Sequence, residues 1–347
     1  MKSVKYLVAL LITTVCLYVA FRGVNLGRAW SIVTDQDRIR LLPLAAFSAI
    51  SLGVMWIRGW RWKYLFQSEH HATVNGLTTA NLIGFTTNNI LPLRIGELVR
   101  ALVARRKVEG PMSYVLASLV IERIFDSICL LLCLVIPLAY TESFPPAILK
   151  IAQVMLYLLA GAVVLLILLG NKPHTAEKAV VKLTGLLLPA RFHEKVKGFM
   201  GMFTEGMKVL RKKDVLVKVS VLSVLHWGAV VFSFRLAFAG FSFDSLPWTS
   251  PFLTLGIVGM GVALPSAPAF IGPIHWAIIF SLHTAYGLPN DDAAALAVVM
   301  HILMMVPVTV AGLIAMAREG MTFGQLRYGA EHLDEAAEPE QVSVQTD

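Results

Sequence analysis

Polar side chains interrupt an apolar stretch in the motif NNILPLRIGE, residues 88–97. Proline and glycine at this point break a helix and free backbone amides. The planar guanidinium of an arginine matches phosphate oxygens, and a nearby glutamate could fix that arginine or bind a cation. The motif therefore predicts an anion-binding group formed by Asn88, Asn89, Arg94 and Glu97. The alternative is that Arg94 and Arg100 only anchor this segment through their charge.

A second group of charges, Glu122, Arg123 and Asp126, lies inside a long apolar run. Their spacing of four residues places Glu122 and Asp126 on one face of a helix. Near the centre of a membrane span each unpaired charge costs about 3 kcal/mol, so these side chains must be paired or face water. The partner of this face could be either Arg94 or Arg235. The group is either part of a functional site or a structural ion-pair network.

A second broken apolar stretch carries a third candidate group: Pro265, Ser266, Gly272 and His275. The alternative is a kinked helix pair that binds no ligand. The sequence lacks the compact ligand spacing of a zinc site, and no metal, cofactor or catalytic residue is predicted. It contains no P-loop, GxSxG, HExxH or glycine-rich dinucleotide motif. We therefore expect neither ATP hydrolysis nor an enzyme of these classes.

The composition is that of a membrane protein. Of the 347 residues, 56% are hydrophobic and 15% are charged, whereas soluble domains have about 25% charged residues. The formal net charge is +8, and the charges lie beside apolar runs. This favours anionic lipid headgroups over nucleic acid as partners. Six apolar runs approach the roughly 20 residues that a span needs: 4–21, 41–57, 113–139, 148–169, 216–240 and 293–317.

The distribution of lysine and arginine orients the chain. Placing both termini in the cytoplasm puts 23 of these residues inside and 5 outside, in keeping with the positive-inside rule. This works only if 77–107 and 251–287 each enter the membrane and return to the same face. Two such hairpins of opposite orientation predict an inverted repeat. The predicted fold is an all-α polytopic membrane protein with about six full spans and two re-entrant helical hairpins.

The chain divides into a transmembrane domain, residues 1–320, and a cytoplasmic tail, residues 321–347, whose acidic end is predicted to be disordered. Within the first, residues 170–215 are basic and carry apolar side chains at helical spacing. This pattern predicts a cytoplasmic amphipathic helix lying on the inner leaflet. The alternative is an ordinary cytoplasmic loop.

Three motifs together resemble the lysylphosphatidylglycerol synthase transmembrane (flippase-like) family: NILPLRIGE at 89–97, ERIFD at 122–126, and a Leu-Pro motif near Pro265. The resemblance covers residues 4–320. The third motif departs from the family, which usually has Pro-Gly-Gly followed by a glutamate, where this chain has Pro268, Ala269, Phe270 and later His275.

The resemblance implies movement of lipids or glycolipids between leaflets. The larger synthases carry a soluble aminoacyl-transferase domain after the membrane part. This chain extends only about 30 residues past its last predicted span, so lysyl transfer is not implied.

These expectations combine into a lipid translocase of the cell (cytoplasmic) membrane that moves a phospholipid or glycolipid. The hairpins would meet near the midplane and form a polar site for a lipid headgroup, most simply an anionic one. One alternative is a scaffold or partner for a lipid-modifying or glycosyl-transferring enzyme. Another is an intramembrane transferase that uses Glu122 or Asp126 as its base. Association with a second copy of the chain is compatible with each of these.

Overall fold

The structure is a computed structural model that describes residues 2–66, 71–91, 95–109, 112–140, part of 146–164, 212–264 and 266–331. Every regular element in these ranges is helical. The helices of the first half are α1 (Lys2–Phe21), α2 (Leu26–Thr34), α3 (Leu41–Lys63), α4 (Val74–Ile90), α5 (Gly96–Arg105) and α6 (Met112–Tyr140). Those of the second half are α7 (Lys213–Gly240), α8 (Ser250–Ala263), α9 (Pro273–Tyr286), α10 (Asn290–Arg318) and α11 (Phe323–Glu331).

Three described helices, α3, α7 and α10, are long and apolar enough to cross a membrane, with 23, 28 and 29 residues. A fourth span results if α1 and α2, which meet at a bend of 77°, are counted together. Helix α6 has 29 residues and carries the predicted charges in its interior. Much of the predicted span 148–169, most of the segment 170–215 and the end of the tail lie outside the described residues.

Two broken helices form hairpins, in the regions where the sequence predicts them. Helix α4 packs against α5, and α8 packs against α9. In the first hairpin, a Cβ atom on Gly84 would lie 2.8 Å from the carbonyl oxygen of Gly96 and from the Cβ of Arg100. In the second, Gly261 faces Pro273 and Ala277 at the same sequence separations. Small residues let the backbones approach closely, which is how helices associate in lipid.

The connections gather at two ends of the molecule. End I is defined by residues 64–66, 71–73, 105–109, 212–218 and 319–331. There Lys107 pairs with Glu319 at 2.6 Å and α11 packs on α5. At end II, defined by residues 22–40, 241–249 and 287–292, Arg40 pairs with Asp244 at 2.8 Å. The charge count had placed each of these groups of segments on a single side of the membrane.

Each hairpin begins and ends at one end of the molecule, α4–α5 at end I and α8–α9 at end II. The tip of the second hairpin is a 3₁₀ turn, Pro268–Phe270, which packs on α4. Next to it the backbone N–H of Ala267 donates to Thr13, in the interior of α1, at 2.8 Å. The end of α4 contacts the interior of α10, where Asn89 Nδ2 donates to Thr309 at 2.8 Å. Both tips therefore lie in the middle of the molecule.

The helix contacts of the two halves correspond. Helices α3 and α7 pack along each other, α4 packs on α10, and α8 packs on α6. Exchanging α3 with α7, α4 with α8, α5 with α9 and α6 with α10 turns the second of these contacts into the third. The same exchange relates the two hairpins.

Candidate functional site

A cavity of about 750 Å³ lies between the two hairpins. Both hairpins and all four long helices α3, α6, α7 and α10 contribute to its wall, most of which is apolar. The polar part of the wall is concentrated at the side of the first hairpin: Arg58, Asn88, Asn89, Glu97, Arg123 and Asp126.

A network of buried ion pairs forms this polar side, and Glu122 is at its centre. Glu122 is completely buried, and its carboxylate contacts Arg58 at 2.6 Å and Arg61 at 3.2 Å. It also accepts a hydrogen bond from Arg100, on α5. Three helices, α3, α5 and α6, are therefore joined at one carboxylate.

Asp126 is the second acid of the network. Its carboxylate lies 2.7 Å from Arg61 and 2.9 Å from Arg58, and it accepts a hydrogen bond of 3.2 Å from Trp227 Nε1, on α7. The sequence explains the match, because Arg58 and Arg61 are three apart on α3 and Glu122 and Asp126 are four apart on α6. Each pair therefore occupies one helix face.

Polar and aromatic neighbours orient the buried arginines. The guanidinium of Arg100 lies over the ring of Trp62, 4.0 Å from its centroid, in the geometry of a cation–π contact. The indole N–H of Trp62 donates to Ser118 at 2.8 Å, and Arg61 donates to Ser223 at 3.2 Å. This network is thus a fixed structural element as well as part of the cavity wall.

Arg123 and Glu97 form a more accessible pair at the edge of this network, where Glu97 also lies 3.7 Å from Arg100. Their side chains are 45% and 39% exposed, and the closest nitrogen and oxygen lie 3.0 Å apart. Arg123 approaches the buried acids only loosely, at 3.9 Å from Glu122 and 3.8 Å from Asp126. The sequence predicted that Glu122, Arg123 and Asp126 are either paired or face water. The two acids are buried and paired, whereas Arg123 is half exposed.

The two asparagines of the first motif have different roles. Asn88 is buried and accepts a hydrogen bond of 2.8 Å from the backbone N–H of Gly96, so it closes the break between α4 and α5. Asn89 binds Thr309, and its Oδ1 has no hydrogen-bond partner among the described residues. Both line the cavity. Arg94, the arginine predicted to bind phosphate, lies outside the described residues.

The described members of the third predicted group, Ser266, Gly272 and His275, do not line the cavity. Ser266 is buried, and Gly272 has φ +95° and lies against the backbone of Thr13. His275 packs against His301, with ring centroids 4.6 Å apart. These residues hold the hairpin tip against α1 and α10. Other residues of the second hairpin line the cavity, among them Phe270 and Ile274. Pro265 lies outside the described residues.

The structure corrects two expectations about arginines. Arg100 was expected to be an anchor at the inner face, but it is 1% exposed and bound to Glu122. Arg235 was expected to pair with the acids of α6, but it donates to the backbone oxygens of Asp244 and Leu246 at end II.

Sequence reasoning missed Arg58 and Arg61, because the predicted span 41–57 stopped just before them. Helix α3 continues to Lys63. The sequence does contain one indication: Arg58 and Arg61 are three apart, so they share a helix face, as do the two acids of α6. Sequence reasoning also missed His226, which is 3% exposed, lines the cavity and has an Nδ1 atom without a partner in the described part of the chain.

The site can bind an anion joined to an apolar chain. Among the described residues its charged groups are four arginines and three carboxylates, which gives one net positive charge, and most of the remaining wall is apolar. The described residues include no group of three or more histidine, cysteine, aspartate or glutamate side chains that could hold a metal ion.

Comparisons with known proteins agree with a membrane role. The protein named Glycosyltransferase AglD, from Haloferax volcanii, is 32% identical over 129 residues, which are 36% of this chain. The match spans only 20% of that relative's length. No solved structure matches the chain significantly. The family described as Lysylphosphatidylglycerol synthase TM region matches residues 6–312, nearly the whole chain, and the protein belongs to this family.

Proposed function

We propose that the protein moves a phospholipid or glycolipid between the leaflets of the cell membrane. The observation that carries the proposal is the cavity between the hairpins, charged on one side and apolar on the rest of its wall. A lipid has the same division between headgroup and chains. The family and the relative associate the chain with membrane lipids or glycolipids in general, and the movement of a lipid is the step we add.

The helix lengths support two re-entrant hairpins. Helices α4 and α5 have 17 and 10 residues, and α8 and α9 have 14 each. At 1.5 Å per residue the longest of them is about 25 Å, shorter than the roughly 30 Å of the hydrocarbon core. Each hairpin returns to the end of the molecule from which it starts, and the tips meet in the middle.

The corresponding contacts of the two halves support an inverted repeat. Transporters with such repeats place the substrate near the midplane, between broken helices, and rock one repeat against the other. In this chain the cavity lies between the two hairpins, which fits such an arrangement. Rocking would expose the headgroup site first to one leaflet and then to the other, with end I in the cytoplasm as the positive-inside rule requires.

Flux measured in liposomes that contain only this protein tests the proposal. We expect a fluorescent phospholipid or glycolipid in the inner leaflet to become accessible to an external quencher faster than in protein-free liposomes. Glu122→Ala, which removes the centre of the charge network, should abolish the increase. A thermal unfolding transition would show that the reconstituted protein is folded. If such protein gives no flux above that of protein-free liposomes with any of these lipids, a translocase is excluded.

A second candidate function is that of a membrane partner for a glycosyl-transferring enzyme, which the match to Glycosyltransferase AglD favours. It predicts no flux from the purified protein. The third possibility, a transferase with Glu122 or Asp126 as base, is poorly supported by the geometry. Glu122 does not line the cavity, and both carboxylates are already bound by arginines.

A further inference from the structure

We propose that Glu97 is an internal competitor of the substrate. Its carboxylate holds Arg123 at the point where a phosphate oxygen of a lipid headgroup binds, so the substrate is an anionic, phosphate-bearing lipid whose affinity is set by Glu97. This inference rests on the proposed function in one respect, since it assigns the headgroup position within the same cavity.

Arg123 differs from the other three arginines of the site. Arg58, Arg61 and Arg100 are 5% exposed or less, and each contacts Glu122. Glu122 and Asp126 are buried too, so the pairs with these two acids cannot be exchanged for a ligand without leaving buried charges uncompensated. Arg100 also lies 3.7 Å from Glu97, but its closer partner is Glu122. Arg123 lines the cavity, and its only partner closer than 3.8 Å among the described residues is Glu97.

The Arg123–Glu97 pair is easily exchanged. Both side chains are more than a third exposed, and ion pairs in such positions contribute little to stability. A phosphate offers an arginine the same pair of oxygens as a carboxylate, with comparable geometry. A headgroup phosphate can therefore replace Glu97 at Arg123 at low cost.

The charge balance then selects an anion. Counted over the described residues, the site with Glu97 in place has four arginines and three carboxylates, and without Glu97 the surplus rises to two positive charges. In a cavity with low-dielectric walls such a surplus attracts anions and repels cations strongly. A monoanionic phosphodiester restores the original balance, whereas a zwitterionic headgroup adds its own positive charge.

The rest of the cavity wall suits the chains of a lipid. Apolar side chains of α6, α7, α8 and α10 make up most of it, among them Leu130, Phe234, Val258 and Met304. A headgroup held at Arg123 would therefore leave the chains against apolar surface.

Binding of dioctanoyl phosphatidylglycerol to the purified full-length protein in a neutral detergent tests the proposal, with tryptophan fluorescence as the readout. We expect Glu97→Gln to lower the Kd by about 5-fold or more, because it releases Arg123 from the ion pair that competes with the phosphate. Arg123→Gln should raise the Kd by about 10-fold or more, since the phosphate loses a charged hydrogen-bond partner. In the double variant the gain from Glu97→Gln should disappear, because Glu97 acts through Arg123.

The controls identify the ligand. Asp214→Asn removes an acid from an equally exposed pair, with Lys218, away from the cavity, and should leave the Kd unchanged. Dioctanoyl phosphatidylcholine should bind more weakly than phosphatidylglycerol. Glycerol 3-phosphate, which has no chains, should bind far more weakly than either; equal binding would assign the site to a soluble phosphate compound and overturn the lipid assignment.

The outcomes separate this inference from the proposed function. An unchanged Kd in Glu97→Gln, or a gain that persists in the double variant, overturns the competitor role even if the protein transports lipid. Conversely, the expected binding changes in a protein without flux support the headgroup site and exclude the translocase.

Discussion

Glu122 is the residue at which three helices meet, and we expect its replacement to lower the stability of the fold. It is fully buried and contacts arginines from α3 and α5. Removing one member of a buried ion-pair network leaves the others uncompensated, at a typical cost of about 3–5 kcal/mol. We expect Glu122→Gln to lower the unfolding temperature clearly in detergent, whereas Asp37→Asn, at an exposed position of end II, should have no effect. Equal unfolding temperatures would mean that water reaches the network.

Arg100 provides a second prediction at this scale. It is buried over Trp62 and bound to Glu122, and lysine offers neither the planar stacking surface nor the paired donors of a guanidinium. We expect Arg100→Lys to destabilise the protein by about 1–3 kcal/mol. The matched control is Arg106→Lys, an exposed position just after α5, which should be neutral. The comparison is made by thermal unfolding of both variants.

The sequence was enough to identify the charged residues of the site, but not to predict which of them pair with each other. The acids of α6 had to be paired, since an unpaired charge in a span is costly. Which arginines pair with them depends on how α3 and α6 are rotated against each other, and no local pattern contains that information. The same limit explains why His275, a polar residue in a broken helix, could not be assigned to packing against His301 rather than to the cavity.

The first hairpin depends on glycine at the scale of the element. A Cβ atom on Gly96 would lie 2.1 Å from the carbonyl oxygen of Gly84 and 2.5 Å from the side chain of Asn88. Gly96→Ala must therefore push α4 and α5 apart, and we expect a large loss of stability and of lipid flux. Gly53→Ala, in α3, meets nothing within 4 Å and should be neutral or slightly stabilising. Unfolding temperature and flux are measured for both; a stable, active Gly96→Ala variant would mean that the hairpin is not closed.

Elements were the most predictable part of the fold. Runs of apolar residues and breaks at proline and glycine place α3, α7, α10 and both hairpins, because these signals are local. Boundaries were less predictable, as the end of α3 shows: arginines look like the end of a span unless their buried partners are known.

Sidedness is the prediction that belongs to the whole molecule. If both hairpins re-enter, end I and end II face opposite sides of the membrane. A membrane-impermeant maleimide should label Asp37→Cys in intact cells, and it should label Gln325→Cys only after permeabilisation. Labelling of both positions from outside would place both ends on one side, and the re-entrant arrangement would be wrong.

The division of charges between α3 and α6 also constrains how the protein is made. Helix α3 is synthesised before α6, so Arg58 and Arg61 enter the membrane before Glu122 and Asp126 exist. Until then the two arginines must extend towards the headgroups at end I, as long basic side chains near a span end can do. We expect the acids of α6 to draw them inwards when that helix inserts, so that α3 reaches its final depth only then. In a chain interrupted before Met112, α3 should lie at a different depth, and the charge network would then order membrane assembly as well as form part of the cavity wall.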